Sequence, residues 1–84
     1  MGNRVYNKQE ITLASGAQET INTYGGTRHD IFVNGSVDLE VKVGSGTIAL
    51  GTLTNAAKNL YVSEPFVLQD KGSGSSVIII STDV

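Results

Sequence analysis

Apolar and polar residues alternate without interruption over residues 37–43. Successive side chains of a β-strand point to opposite faces, so this segment is predicted to be a strand with one buried face. The predicted inward side chains are Val37, Leu39, Val41 and Val43, and the predicted solvent-facing ones are Asp38, Glu40 and Lys42. Asn34-Gly35 precedes the segment, and this dipeptide favours a two-residue hairpin turn. The pattern therefore predicts a hairpin between residues 30–33 and 37–43.

Segments of the same kind recur along the chain, separated by turn signals roughly every ten residues. The predicted strands are residues 9–13, 18–23, 30–33, 37–43, 47–54, 60–63, 65–69 and 76–82, and the pair around Pro65 can also form one bent strand. Further inward positions are Ile11, Leu13, Ile21, Ile48, Leu50 and Leu53. At most one helical turn is expected, at residues 54–59. Without a crossover helix the strands must run antiparallel. We predict a single all-β domain over residues 1–84, a small antiparallel sandwich or barrel of seven to eight short strands.

Glycines mark irregular positions in this pattern. Gly51 interrupts the strand at 47–54, which predicts a β-bulge or a close backbone approach. Residues 70–75 are rich in Gly and Ser and predict a flexible hairpin loop.

The last predicted strand is apolar on both faces at Val77, Ile78, Ile79 and Ile80. One pair, either Ile78 with Ile80 or Val77 with Ile79, is expected to join the core. The other pair must be covered, because two exposed isoleucine-sized side chains are costly in water. The cover is either this chain's own N-terminal segment or a loop, or another protein chain. We therefore treat these four residues as the candidate protein interface.

The composition favours association with other protein chains as a source of stability. The chain has 84 residues, no cysteine and one histidine, so disulfides are impossible and a structural zinc site is not expected. Small domains without such links gain stability from copies of themselves or from partners. Ser, Thr, Asn and Gly supply 32 of the residues, which is typical of a turn-rich β-protein with a neutral polar surface.

Charge and hydropathy narrow the range of partners. The formal net charge is −2, and the six basic residues are scattered singly, so a nucleic-acid partner is not expected. No apolar run is long enough to span a bilayer, and the first residues lack a secretory hydrophobic segment. We expect synthesis in a cytoplasm without classical export, and no membrane partner.

Candidate chemistry is sparse. His29 stands beside Asp30, but neighbours on a strand point apart, and solvation at a loop edge or local hydrogen bonding is the expected role. Gly44-Ser45-Gly46 with Gly51 lacks the spacing of a phosphate-binding loop. No nucleophile with a base is evident, so we expect no enzymatic activity, no cofactor and no metal. Tyr6, Tyr24 and Tyr61 are the candidate contacts for a glycan, since tyrosine rings can stack on sugars.

The alternating segment at 30–43, the loop at 70–75 and the doubly apolar strand at 77–80 together resemble small all-β virion proteins of tailed bacteriophages. These are the capsid decoration (cement) proteins and the head-fibre or tail modules. The resemblance implies a non-enzymatic virion protein that is present in many copies. It would bind capsid or tail proteins, often as a trimer or other homo-oligomer. The alternative is a carbohydrate- or receptor-binding module of a phage tip or adhesin.

Overall fold

A computed structural model describes the backbone of residues 4–83 and the side chains of residues 7–82. The strands are β1 (Arg4–Leu13), β2 (Gln18–Ile21), β3 (Arg28–Asn34), β4 (Ser36–Val43), β5 (Gly46–Thr54), β6 (Ala57–Leu60), β7 (Phe66–Asp70) and β8 (Ser75–Asp83). They form sheet A, in the order β1-β8-β3-β6, and sheet B, in the order β2-β7-β4-β5. All pairs are antiparallel. The prediction of a small antiparallel sandwich is confirmed.

The chain passes from one sheet to the other at almost every connection. Among the described strands, only β4 and β5 are neighbours both in sequence and in a sheet. Eight strands that alternate in this way between two facing sheets form a jelly roll. Four connections (residues 14–17, 35, 55–56 and 71–74) lie at one end of the sandwich, which we call the closed end. The other three (22–27, 44–45 and 61–65) lie at the open end.

The core lies between the two sheets and follows the predicted alternation. Val37, Leu39 and Val41 are buried, with at most 5% of their surface exposed. Asp38 and Glu40 are half-buried on the other face and Lys42 is exposed. The largest fully buried apolar side chains are Phe66, Ile21, Ile31, Leu39, Leu68, Ile79, Val37 and Val77. Leu13 is buried and Ile11 packs against the core, as the pattern predicts.

The predicted hairpin at Asn34-Gly35 is wrong, although the chain does turn there. Asn34 ends β3 in sheet A and Ser36 begins β4 in sheet B, so the turn crosses between sheets. Gly35 has a φ of 120° and packs so closely that a Cβ would lie 2.6 Å from the Ser75 hydroxyl. Its N–H donates to the Asn55 side chain at 2.9 Å. Contacts from distant loops therefore set the direction that the chain takes after the turn.

Residues 70–75 also do not form a flexible hairpin loop, because β7 and β8 belong to different sheets. Asp70 is 2% exposed, and its carboxylate accepts bonds from the Gly16 and Gly72 N–H groups, each at 3.1 Å. The Ser75 hydroxyl donates to the same carboxylate. This corner is held by hydrogen bonds to its own residues and to the β1–β2 connection.

The helical turn expected at 54–59 is absent from the described chain. Residues from Ala57 onward form the edge strand β6, in which Ala57 pairs with Phe32 and Asn59 with Asp30. Pairing with β3 satisfies backbone groups that a single helical turn would leave unbonded. The predicted strand at 60–63 is accordingly displaced, since β6 ends at Leu60.

The bulge predicted at Gly51 is confirmed. The β4–β5 register shifts between Leu39 and Glu40, which leaves Leu50 as the extra residue, and Gly51 has a φ of 100°. Two predicted core positions near the β4–β5 turn are wrong, however. Val43 is 48% exposed and Ile48 is 53% exposed. They point to the inner side of sheet B, but at the open end this hairpin extends beyond the part that sheet A covers.

Candidate interaction surfaces

The last strand divides its apolar residues between two environments. β8 is a central strand of sheet A, between β1 and β3. Val77 and Ile79 are at most 1% exposed and belong to the core, whereas Ile78 is 37% exposed and Ile80 is half-buried on the outer face. Val77 and Ile79 are therefore the pair that joins the core. Ile78 and Ile80 are the pair that remains a candidate protein interface.

Ile78 is part of a larger apolar surface on the outer face of sheet A. It lies directly opposite Phe32 of β3, which is 46% exposed, and Phe32 lies opposite Ala57 of β6. We call the surface formed by Phe32, Ala56, Ala57, Ile78 and Ile80 the outer patch. It borders a shallow depression of about 460 Å³, whose polar lining comes from Asn34, Asn55 and Ser76.

The side chains beside the outer patch carry balanced charge. Lys8 and Glu10 of β1, opposite Ile80 and Ile78, form an ion pair at 3.5 Å. On the other side, the Asp30 carboxylate accepts a bond from Arg28 Nε at 3.2 Å. These pairs leave little net charge at the rim, so the patch suits a partner surface without strong charge.

The N-terminal segment does not cover the patch over the residues that are described. Residues 4–13 form β1, which lies beside β8 within the sheet and not on top of it. Residues 1–3 fall outside the described part of the chain. Phe32 and Ile78 both remain exposed, so no described loop covers them either, and another protein chain is the remaining candidate for the cover.

Two of the three candidate glycan-binding tyrosines lie at the open end. Tyr24 is 58% exposed and Tyr61 is 62% exposed. Their connections are joined by a hydrogen bond from the Thr23 hydroxyl to the Ser63 carbonyl, at 2.9 Å. The Arg28 guanidinium lies 6.0 Å from the centre of the Tyr61 ring. Tyr6 is in β1, but its side chain is outside the described part of the chain.

His29 is in the core, which overturns the prediction of a solvated or locally bonded side chain. It is fully buried, and its Nε2 donates to the Val62 carbonyl at 2.9 Å. Since that nitrogen carries the proton, Nδ1 accepts from the Ser81 hydroxyl at 2.8 Å in the neutral ring. Ser81 is also fully buried. A substrate cannot reach this pair, so its role is to satisfy polar groups in the core.

Asp70 is the titratable group whose environment is most distinctive. The hydrogen bond from Ser75 holds the pKa of the Asp70 carboxyl below its usual value, with help from the backbone N–H groups of Gly16, Gly72 and Gly74, while burial opposes this effect. Every partner belongs to the closed end. The arrangement ties the β1–β2 connection to the corner between β7 and β8.

Metal ligands and membrane helices are not indicated. No three His, Asp or Glu side chains gather into a possible metal site among the described residues. Over the same part of the chain, no helix has the length and apolar character needed to cross a membrane.

Comparisons with known proteins support the fold. No protein-family profile matches the sequence, and no curated protein sequence matches it either. The structure is similar to Drosophila melanogaster CENP-C, solved bound to CAL1, with a TM-score of 0.65 and 9% identity over 90% of this chain. It is also similar to a de novo designed double-stranded β-helix, with a TM-score of 0.60 and 16% identity over 92% of this chain and 99% of that one. This chain spans 63% of the CENP-C chain. At sequence identities this low, the structural similarity supports the fold and nothing about function.

Sequence reasoning missed Phe32, the most exposed member of the outer patch among its large side chains. The signal was present, because Ile31-Phe32-Val33 is a run of three consecutive apolar residues on a strand. Such a run places at least one side chain on each face, as it does in β8. When two neighbouring strands each contain such a run, as β3 and β8 do, the outer face of the sheet carries an apolar surface.

Proposed function

We propose that this protein is a non-catalytic structural module of an assembly, and that it docks on a protein surface through the outer patch. The observation that carries the proposal is the direct pairing of Phe32 with Ile78 on the solvent side of sheet A. Both side chains are more than a third exposed. Removing on the order of 200 Å² of apolar surface from water would contribute ~5 kcal/mol at 25 cal/mol per Å².

The surroundings of the patch fit a protein partner. Specific interfaces combine an apolar centre with a polar rim that still forms hydrogen bonds. Here Asn34, Asn55 and Ser76 line the adjoining depression, and charged side chains nearby are already paired. The partner would therefore present an apolar, weakly charged surface of its own.

The assembly that we propose is a virion, in which the protein binds capsid or tail proteins in the manner of a decoration protein. The support is the resemblance in sequence style together with a compact sandwich whose polar surface is largely uncharged. Jelly rolls are also frequent in viral capsid proteins. Synthesis would take place in the host cytoplasm, followed by incorporation into the particle.

The test is cosedimentation with capsid or tail particles that have been purified from the source and stripped of this protein. The wild-type protein should bind, and the Phe32→Ser/Ile78→Ser double variant should lose binding while its circular dichroism is unchanged. Val43→Ser is the matched control, because it removes an exposed apolar side chain at the open end. A wild-type protein that fails to bind either particle would refute the virion assignment. A double variant that binds normally would refute the outer patch.

A second function, glycan binding at the open end, is favoured by one observation. Tyr24 and Tyr61 are both more than half exposed and lie on connections joined by a hydrogen bond. Aromatic rings in this position can stack against sugars. A glycan array probed with the wild-type protein and with Tyr61→Ala separates this function from the first. Saturable binding that Tyr61→Ala abolishes and Phe32→Ser/Ile78→Ser leaves intact would replace the docking proposal.

A further inference from the structure

The two sheets have four edges, and the edge formed by β5 differs from the other three. The described edge strands are β1 and β6 in sheet A and β2 and β5 in sheet B. β1 carries Lys8 and Glu10, β6 carries Lys58 and β2 carries Glu19. β5, with the sequence GTIALGTLT, is nine residues long and has neither a charged residue nor a proline.

An edge strand presents a row of unpaired backbone N–H and C=O groups to one side. Natural proteins usually protect such edges with charges, proline, short length or a covering element. β5 is exposed at seven of its nine positions, and only Leu50 and Leu53 are half-buried. The bulge at Leu50 and Gly51 is the protective feature that β5 does have, and it separates residues 46–49 from residues 52–54.

We propose that β5 is a self-association edge, at which the β5 strands of two copies of this chain pair antiparallel and join two B sheets into one. This inference does not depend on the proposed function, because a pair of copies can be measured without any particle. It concerns a surface different from the outer patch.

A second copy fits this edge better than a free peptide does. β5 of the copy is already extended and held by β4, whereas a peptide would lose conformational freedom on binding. Two identical strands related by a two-fold axis make every contact twice. Because β5 carries no charge, its own copy meets no like-charge repulsion.

The bulge determines which residues would face each other. Ile48 and Leu53 lie on the inner side of sheet B, opposite Val41 and Val37 respectively, while Ala49 and Thr52 lie on the outer side. In the joined sheet, the inner side chains of both copies must lie on the same face. The register that satisfies this condition places Ile48 directly opposite Leu53 of the second copy. It likewise sets Ala49 against Thr52 of the second copy. In this arrangement Ile48, now 53% exposed, gains an apolar neighbour.

The test uses the Ala49→Lys/Thr52→Lys variant. Within one chain each new lysine lies opposite a carboxylate, Glu40 or Asp38, so the fold should be retained. Between copies the lysines lie opposite each other, and like charges in direct contact disfavour association. We expect the dissociation constant of the pair to rise by at least about tenfold, measured by analytical ultracentrifugation.

The matched control is Gln18→Lys/Thr20→Lys, which adds the same charge to exposed positions of the other edge of sheet B. It should associate as the wild type does. A second measurement fixes the register, since the chain has no cysteine of its own. An Ala49→Cys chain mixed with a Thr52→Cys chain should form a disulfide-linked pair, and neither alone should.

Three results would overturn the proposal. The first is a wild-type protein that sediments as a monomer at concentrations up to about 1 mM. A dissociation constant of that size corresponds to a binding free energy of only ~4 kcal/mol. The second is an Ala49→Lys/Thr52→Lys variant that associates as tightly as the wild type. The third is a control variant that dissociates equally, which would show that net charge and not this edge governs association.

Discussion

The two ends of the sandwich are built differently. At the closed end, Asp70 binds Gly16, Gly72 and Ser75, and the Asn55 side chain binds the Gly35 N–H. At the open end lie four of the six large apolar side chains that the described residues expose: Tyr24, Val43, Ile48 and Tyr61. Hydrogen bonds join distant segments at both ends, as that between Thr23 and Ser63 does at the open end, but the open end in addition keeps most of the exposed large apolar side chains.

Strand β4 runs from one end to the other and shows the difference within a single pattern. Its apolar positions Val37, Leu39, Val41 and Val43 alternate identically in the sequence. The exposed fraction of their side chains is nevertheless 0% at Val37, 1% at Leu39 and 5% at Val41, and then 48% at Val43. Alternation specifies which face a side chain occupies, but the facing sheet decides whether that position is buried.

The largest difference in stability that we expect is between two single variants of β4, each of which introduces one aspartate. Leu39→Asp should unfold the domain, because an unpaired buried carboxylate costs about 4 kcal/mol or more, comparable to the stability of a small domain. Val43→Asp should cost at most about 1 kcal/mol, as exposed substitutions usually do. Circular dichroism melts of the two variants measure the difference. Similar melting temperatures would show that the open end is as tightly packed as the centre.

An intermediate difference in stability is expected between alanine variants of two glycines, one at each end of the sandwich. At Gly35 a new Cβ would lie 2.6 Å from Ser75 Oγ and 3.0 Å from the Gly74 carbonyl, and φ is +120°; at Gly44 nothing lies within 4 Å and φ is +61°. Gly35→Ala should therefore cost about 2 kcal/mol or more, through overlap added to backbone strain. Gly44→Ala should cost about 1 kcal/mol, from strain alone.

Urea denaturation of both glycine variants gives these free energies directly. If Gly44→Ala were the more damaging of the two, the tight crossing at the closed end would not be the constraint that the contacts around Gly35 indicate.

The smallest effect should depend on pH. The pKa of the Asp70 carboxyl is lower in the folded state. The hydrogen bonds to the ionised carboxylate therefore stabilise the protein at pH values above the unfolded pKa of about 3.9. That contribution is lost as the pH falls through the lower folded pKa. Asp70→Asn should therefore melt below the wild type at neutral pH, and the gap should close under acid conditions. A gap of constant size from neutral to strongly acid pH would contradict this role.

The sequence predicted the local features of the fold well. The inward face of residues 37–41 and the bulge at Gly51 follow from side-chain alternation and from backbone freedom within a few residues. The antiparallel architecture follows from the lack of a segment that could form a crossover helix. The turns at Gly35 and at residues 71–74 were also located, but the partner of the strand that follows each turn was wrong. A turn residue encodes a change of direction, whereas the sheet that the chain then joins depends on contacts such as Gly35 with Ser75.

The candidate surfaces were predicted in part. Consecutive apolar residues in β8 indicated an outward apolar pair, and that pair proved to be Ile78 and Ile80. The run Ile31-Phe32-Val33 indicated an outward apolar side chain on β3 as well, but its position opposite Ile78 depends on the pairing of β3 with β8, which no local pattern supplies. His29 could not be placed for the same reason, since its partners Val62 and Ser81 are 33 and 52 residues away.

The position of β8 has a consequence for the way in which this protein is made. β8 is the last of the eight strands to leave the ribosome, yet it lies between β1 and β3. Among the described strands β1 pairs with β8 alone, whereas β3 also pairs with β6. Only the β4–β5 hairpin can form from strands adjacent in the chain, and sheet A cannot be completed until residues 75–83 are synthesised, because β8 joins β1 to the β3–β6 pair. A topology so dependent on distant pairing folds slowly. We expect the incomplete chain to expose the edges of β1 and β3 and the apolar residues of the future core, which makes this interval the period of greatest aggregation risk.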